Sequence, residues 1–147
     1  MNKEGGDITE ISADDIEISY RNTPFMKNER IITSAFFRLR EGNPEEITAK
    51  MEELMGKRKT SQPLEFPSAG STFKRPAVGY AAALIDQSGL KGTAVGGAEV
   101  STKHAGFVIN KGGATFSDVT KLMEIIKATV LEKHGIELQP EVEILKD

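Results

Sequence analysis

Between two prolines the chain reads Pro67-Ser68-Ala69-Gly70-Ser71-Thr72-Phe73-Lys74-Arg75-Pro76. Small residues surround the hydroxyls, and an aromatic ring and two cations follow. Ser71 is of a type that can act as a nucleophile or a proton donor, with Lys74 and Arg75 near it for an anion. Each proline fixes its own φ and pushes the residue before it towards extended geometry, which excludes a regular helix or a central strand. Gly70 permits positive φ or the close approach of a ligand. The expectation is a loop that holds Ser71 out. By composition alone, the segment also reads as a surface turn between two elements.

Three further residues are candidates for chemistry. Glu141 follows Pro140 in an extended, apolar segment. A carboxylate there faces either a partly buried site, where its proton affinity matters, or solvent, like Glu137 and Glu143. Arg21 lies in a Tyr-Arg turn and otherwise reads as a surface arginine. His104 precedes an apolar run and otherwise reads as a structural hydrogen-bonding residue. The nucleophile-elbow pattern Gly-x-Ser-x-Gly is absent, which counts against a hydrolase. The run Gly92-Thr93-Ala94-Val95-Gly96-Gly97 lacks the Lys-Ser/Thr pair of a P-loop and is not a dinucleotide fingerprint, so a turn or packing role is expected.

The elements that must position these groups follow from periodicity. Asp15 to Tyr20 alternates polar and apolar residues, which predicts a half-buried strand. Arg30 to Leu39 predicts a second, more buried strand. Asn43 is placed to cap a helix, with Pro44 at its first position and Glu45 and Glu46 at its positive end. Ile47, Met51, Leu54 and Met55 recur at helical spacing, and Lys57-Arg58-Lys59 closes that helix. Val78 to Asp86 predicts a short, closely packed helix. Glycine-punctuated short strands follow, then an apolar strand over 105–110 and a turn at Lys111-Gly112-Gly113. Thr115 with Asp118 forms a capping-box pattern ahead of a helix whose apolar face is Val119, Leu122, Met123, Ile126 and Val130. His134 and Gly135 end it. Ile136 to Leu145 predicts a last strand, interrupted at Pro140. Strands and helices do not alternate regularly, which predicts an α+β fold rather than a doubly wound sheet.

The totals narrow the function. The chain has 147 residues, 19 basic and 22 acidic side chains and a net charge of −3. That is one domain, or one domain with part of another. Without a basic field, nucleic-acid binding is not expected. No apolar run is long enough for a bilayer span, so no membrane partner is expected. The absence of cysteine excludes disulfides and thiolate chemistry and fits a cytoplasmic chain. Two histidines, His104 and His134, exclude a multi-histidine metal site, and no metal is expected.

Five blocks, in order, resemble motifs of the UDP-N-acetylenolpyruvoylglucosamine reductase (MurB) family. They are Tyr20-Arg21-Asn22-Thr23, with Thr23 in place of a serine; Pro67 to Pro76; Leu84 to Gly92; Gly96 to Asn110; and Leu138-Gln139-Pro140-Glu141-Val142. The His104 form of the fourth block, with no insertion after it, resembles the shorter subclass of the family. The resemblance implies that residues 46–147 are the substrate-binding C-terminal domain. Residues 1–45 resemble the trailing end of an FAD-binding α+β domain, and the chain as a whole resembles a C-terminal fragment.

The activity so implied is a cytoplasmic flavoenzyme step of peptidoglycan precursor synthesis. NADPH reduces FAD, and hydride then passes to the enolpyruvyl group of a UDP-sugar. By the same resemblance Ser71 is the proton donor, and Glu141 and Arg21 polarise the enolpyruvyl carboxylate. Arg21 also faces the cofactor, while Lys74, Arg75 and His104 lie towards the substrate's phosphates. Nothing here resembles the family's Gly-rich FAD pyrophosphate loops, which implies a separate N-terminal FAD-binding fragment as partner. The alternatives are a UDP-sugar-binding module without redox chemistry and an inactive fragment.

Overall fold

A computed structural model describes residues 8–20, 22–26 and 31–145. Contacts divide the chain into two units, Met1–Gly42 and Asn43–Asp147. In the first, the described residues form two short 3-10 turns, Ala13–Asp15 and Pro24–Met26, and a reciprocal bridge between Ser19 and Asn22. This corrects the strand expected over Asp15 to Tyr20. The second expected strand also fails: residues 31–39 have no regular structure, and Phe36 and Phe37 are more than four-fifths exposed. A strand persists only where a neighbour takes up its N–H and C=O groups. Among the described residues of this unit, no ladder extends beyond the Ser19–Asn22 bridge.

The second unit follows its local signals closely. Asn43 caps α1 (Pro44–Ser61) by accepting from the N–H of Glu45 at 2.9 Å, with Pro44 in the first turn. The helix closes with Arg58 and Lys59 in its last turn. Its apolar residues Ile47, Met51, Leu54 and Met55 all stay exposed, so helical spacing here does not mark a core face. Its outer surface instead carries polar pairs, such as Glu53 with Lys50 and Lys57.

β1 (Ser68–Ser71) lies at one edge of a four-stranded antiparallel sheet with β2 (Ala94–Val95), β3 (Ala98–Val100) and β4 (Phe107–Asn110), in the order β1-β4-β3-β2. The expected loop around Ser71 is therefore an edge strand, a position that tolerates flanking prolines. The short helix α2 (Ala81–Gln87) starts later than expected, after the positive-φ Gly79. α3 (Phe116–His134) has the expected capping box of Thr115 and Asp118 and ends on Gly135 at φ 67°.

α3 packs on β2, β3 and α2. Leu122, Ile126 and Val130 are fully buried in one cluster with Ile85, Val100 and Leu138. The last expected strand is also corrected. Among the described residues beyond α3, the one bridge is that of Pro140 with Phe73. Proline has no N–H to extend a ladder. Helices with an antiparallel sheet make the unit α+β, as expected.

Candidate functional site

Ser71 owes its position to a bulge. Ser68 pairs with Ile109 and Ser71 with Phe107, so β1 carries one residue more than β4 over this stretch. Gly70 sits inside it at φ 80°, and nothing lies within 4 Å of where a Cβ would be. Glycine is needed here for its dihedral angle and not for space. Such a bulge re-aims the side chain that follows it, which here is the exposed Ser71.

The next residue anchors the strand on both sides. Thr72 is buried; its N–H donates to the Gly106 carbonyl at 2.9 Å and its Oγ1 accepts from the Val108 N–H at 3.1 Å. Its carbonyl accepts from the Glu141 N–H at 2.9 Å, while the Lys74 N–H donates to the Gln139 carbonyl at 2.8 Å. These two bonds flank the Phe73–Pro140 bridge and lay the C-terminal segment against the end of β1. Glu141 thus comes within one ladder position of Ser71, although seventy residues separate them in sequence. Both residues are exposed.

Beside Ser71 lies a cavity of about 460 Å³, within the usual size range of ligand sites. Ser68, Gly70, Ser71 and Phe107 line its sheet side, Leu64, Phe66 and Pro67 the connection, and Arg58 and Gln62 the end of α1. Arg58 is the one charged residue among them. Its Nε donates to Gln62 Oε1 at 3.0 Å. Sequence reasoning treated Arg58 only as helix-closing charge. The missed signal was the i,i+4 spacing of Arg58 and Gln62 just ahead of the serine segment.

The other expected site residues are placed less centrally. Arg75 stacks its guanidinium 4.2 Å from the centre of the Tyr80 ring. Lys74 is exposed on the segment that pairs with Gln139. His104 accepts the Gly106 N–H on Nδ1 at 3.2 Å and meets Phe107 edge-on, with ring centres 4.9 Å apart. Accepting on Nδ1 leaves Nε2 as the nitrogen that carries the proton in the neutral ring. Phe107 links His104 to the cavity, but Glu141, His104, Lys74 and Arg75 do not line it. Arg21 lies outside the described residues.

The Gly-rich turn has a different purpose. Gly96 and Gly97 join β2 to β3 as a two-residue hairpin. A Cβ at Gly96 would meet the Asp118 carboxylate, and one at Gly97 the backbone of Gly112 and Ala114. Asp118 Oδ2 accepts from the Thr115 N–H at 2.9 Å. That bond, the Thr115 hydroxyl and the Gly97 N–H hold the carboxyl below its usual range. The turn and the start of α3 are therefore locked together.

The family described as "UDP-N-acetylenolpyruvoylglucosamine reductase, C-terminal domain" matches residues 62–145. The UDP-N-acetylenolpyruvoylglucosamine reductase of Clostridium novyi is 51% identical over 140 residues, 95% of this chain and 46% of that protein. That of Caldanaerobacter subterraneus is 51% identical over 142 residues, 97% of this chain and 47% of that protein. The crystal structure of UDP-N-acetylenolpyruvylglucosamine reductase (MurB) from Thermus caldophilus superposes with a TM-score of 0.57 at 39% identity, covering 71% of this chain and 37% of that one. The chain spans about half the length of the curated relatives it matches.

Proposed function

Because the chain belongs to the UDP-N-acetylenolpyruvoylglucosamine reductase C-terminal-domain family, we propose that it supplies the substrate-side residues of that oxidoreductase. The reaction adds a hydride and a proton across the enolpyruvyl double bond of a UDP-sugar, a cytoplasmic step in making peptidoglycan precursors. Residues 46–147 are the substrate-binding part and residues 1–45 the end of an FAD-binding domain. FAD and NADPH belong to the proposal for the whole enzyme.

Within this reading, Ser71 gives its hydroxyl proton to the carbon that bears the carboxylate. Charge built up on that carboxylate is held by an acid hydrogen bond from Glu141 and by the cation of Arg21. Lys74, Arg75 and Nε2 of His104 lie towards the phosphates. The observation that supports the reading is the Glu141 N–H bond to the Thr72 carbonyl at 2.9 Å, which sets the backbone of the Glu141 segment beside the strand that carries Ser71, while Ser71 but not Glu141 lines the cavity. The Gly96-Gly97 turn does not fit a flavin pyrophosphate. It is filled by the Asp118 carboxylate, which repels a phosphate.

The test supplies an N-terminal FAD-binding fragment of a relative in trans, with NADPH and the enolpyruvyl UDP-sugar. The wild-type chain restores product formation. Ser71→Ala lowers turnover by a factor of ~10²–10⁴ while flavin reduction by NADPH stays unchanged. Full turnover in Ser71→Ala removes Ser71 from this role. A second reading, a UDP-sugar-binding module without redox chemistry, draws on the cavity at Ser71 being walled by this chain's own residues. Tight binding of a UDP-sugar by the unaided chain, with no product formed on complementation, would favour it.

A further inference from the structure

The cavity beside Ser71 contains one charged group, and none of the expected site residues accounts for it. Leu64, Phe66, Pro67 and Phe107 give it apolar walls, and no carboxylate lines it. Its charge is the Arg58 guanidinium, whose one side-chain partner among the described residues is Gln62. That bond uses Nε and leaves both terminal nitrogens for a ligand. A guanidinium held at Nε presents a planar pair of donors, the geometry that matches an oxyanion.

The end of α1 is also built to stay in place. α1 buries none of its side chains, so packing does not fix it to the rest of the unit. Lys103 does, at the C-terminus, where local hydrogen bonds also close the last turn. The Gln62 N–H donates to the Arg58 carbonyl at 2.9 Å, and Thr60 and Ser61 hydroxyls donate to the Lys57 carbonyl. Lys103 Nζ reaches across from the loop before β4 to the Lys59 carbonyl at 2.7 Å and to Glu65. Carbonyls that a helix end leaves unpaired are thereby satisfied. The turn that carries Arg58 is tied to the loop that carries His104 and leads into β4 at Phe107.

We propose that Arg58 is an oxyanion-binding, specificity-determining residue of the Ser71 cavity, oriented by Gln62 and positioned by Lys103. The proposal rests on the substrate reading above and adds a residue to it. The oxyanion is either the carboxylate next to the carbon that Ser71 protonates or the diphosphate. Two ligands separate them: UDP-N-acetylglucosamine carries only the diphosphate, and its enolpyruvyl derivative carries both.

The experiment is calorimetric titration of the full chain with both ligands, for wild type, Arg58→Gln, Arg58→Lys and Lys103→Met. Urea unfolding of each variant serves as a control. A charge-assisted bond in an open cavity gives about a 10-fold or greater loss of affinity in Arg58→Gln. Arg58→Lys recovers part of it, and Lys103→Met loses less than Arg58→Gln. Loss confined to the enolpyruvyl ligand assigns the carboxylate, and equal loss for both assigns the diphosphate. Unchanged affinity for both ligands in Arg58→Gln overturns the proposal while leaving the substrate reading intact. A wild-type chain that binds neither ligand overturns the substrate reading, and this proposal falls with it.

Discussion

Gly70 and Gly97 both resist substitution on this structure, but for opposite reasons, and the difference can be measured. Gly70 has φ 80° and open space where a Cβ would sit. Gly97 has an ordinary φ, but its Cβ would fall well inside van der Waals contact with the Gly112 carbonyl and with Ala114. Gly70→Ala therefore suffers only the left-handed backbone penalty, ~1–2 kcal/mol. Gly97→Ala must push two backbone segments apart, which puts it at about 3 kcal/mol or more, at the upper end of overpacking. Asparagine separates the two cases, because it tolerates left-handed φ and is larger than alanine. Gly70→Asn should regain part of the loss seen in Gly70→Ala, whereas Gly97→Asn should be worse than Gly97→Ala. Urea unfolding of the 147-residue chain reads this as midpoint shifts at constant slope. If Gly70→Asn is as unstable as Gly70→Ala or worse, the dihedral argument fails, and with it the account of how the bulge presents Ser71.

The core gives a sharper internal control. Ile126 is fully buried and its neighbour Ile125 is 41% exposed, so Ile126→Ala should lose ~2–5 kcal/mol and Ile125→Ala about 0.5 kcal/mol or less in the same urea assay; similar losses would mean that α3 is rotated. The Asp118 carboxyl is held below its ordinary range, first by the Thr115 N–H and then by its hydroxyl. A carboxyl whose folded pKa is depressed stabilises above its unfolded pKa of ~3.9 and loses that contribution as pH falls through the folded value. Melting temperatures followed from neutral pH down through that range should therefore fall more steeply in wild type than in Asp118→Asn, and parallel curves would contradict the capping account.

What the sequence made legible divides along local and non-local lines. The ends of α1 and α3 could be read because a cap is chemistry within four residues: Asn43 with Pro44, Thr115 with Asp118, His134 with Gly135. The apolar face of α3 could be read because its partners, the sheet and α2, lie in the same unit. The same periodic logic misled at α1, where Met51 is 66% exposed; spacing reports a helix face but not whether anything covers it. Strands failed most. Asp15 to Tyr20 and Arg30 to Leu39 have strand composition, yet a strand exists only by pairing, and alternation carries no information about a partner. At Ser71 the error was milder. Prolines and glycine suggested a loop, but an edge strand with a bulge accommodates the same residues.

The candidate site was legible as a set of residue types and not as a place. Nothing in the spacing of Ser71 and Glu141 says that they meet. Their backbones come within one ladder position through bonds to a residue that neither motif emphasises, Thr72, which is held to Gly106 and Val108 on one side and to Glu141 on the other. Thr72 is buried, and its hydroxyl takes up the Val108 N–H next to the bulge. Its burial fixes the strand, and the bulge then leaves Ser71 free of packing duties. A hydroxyl presented this way has no structural task left beside the cavity. The same holds for Arg58, which sits on a helix anchored by its carbonyls rather than by its side chains. In both cases the backbone provides the anchoring, so the exposed side chain can be specialised for a ligand without loss of fold.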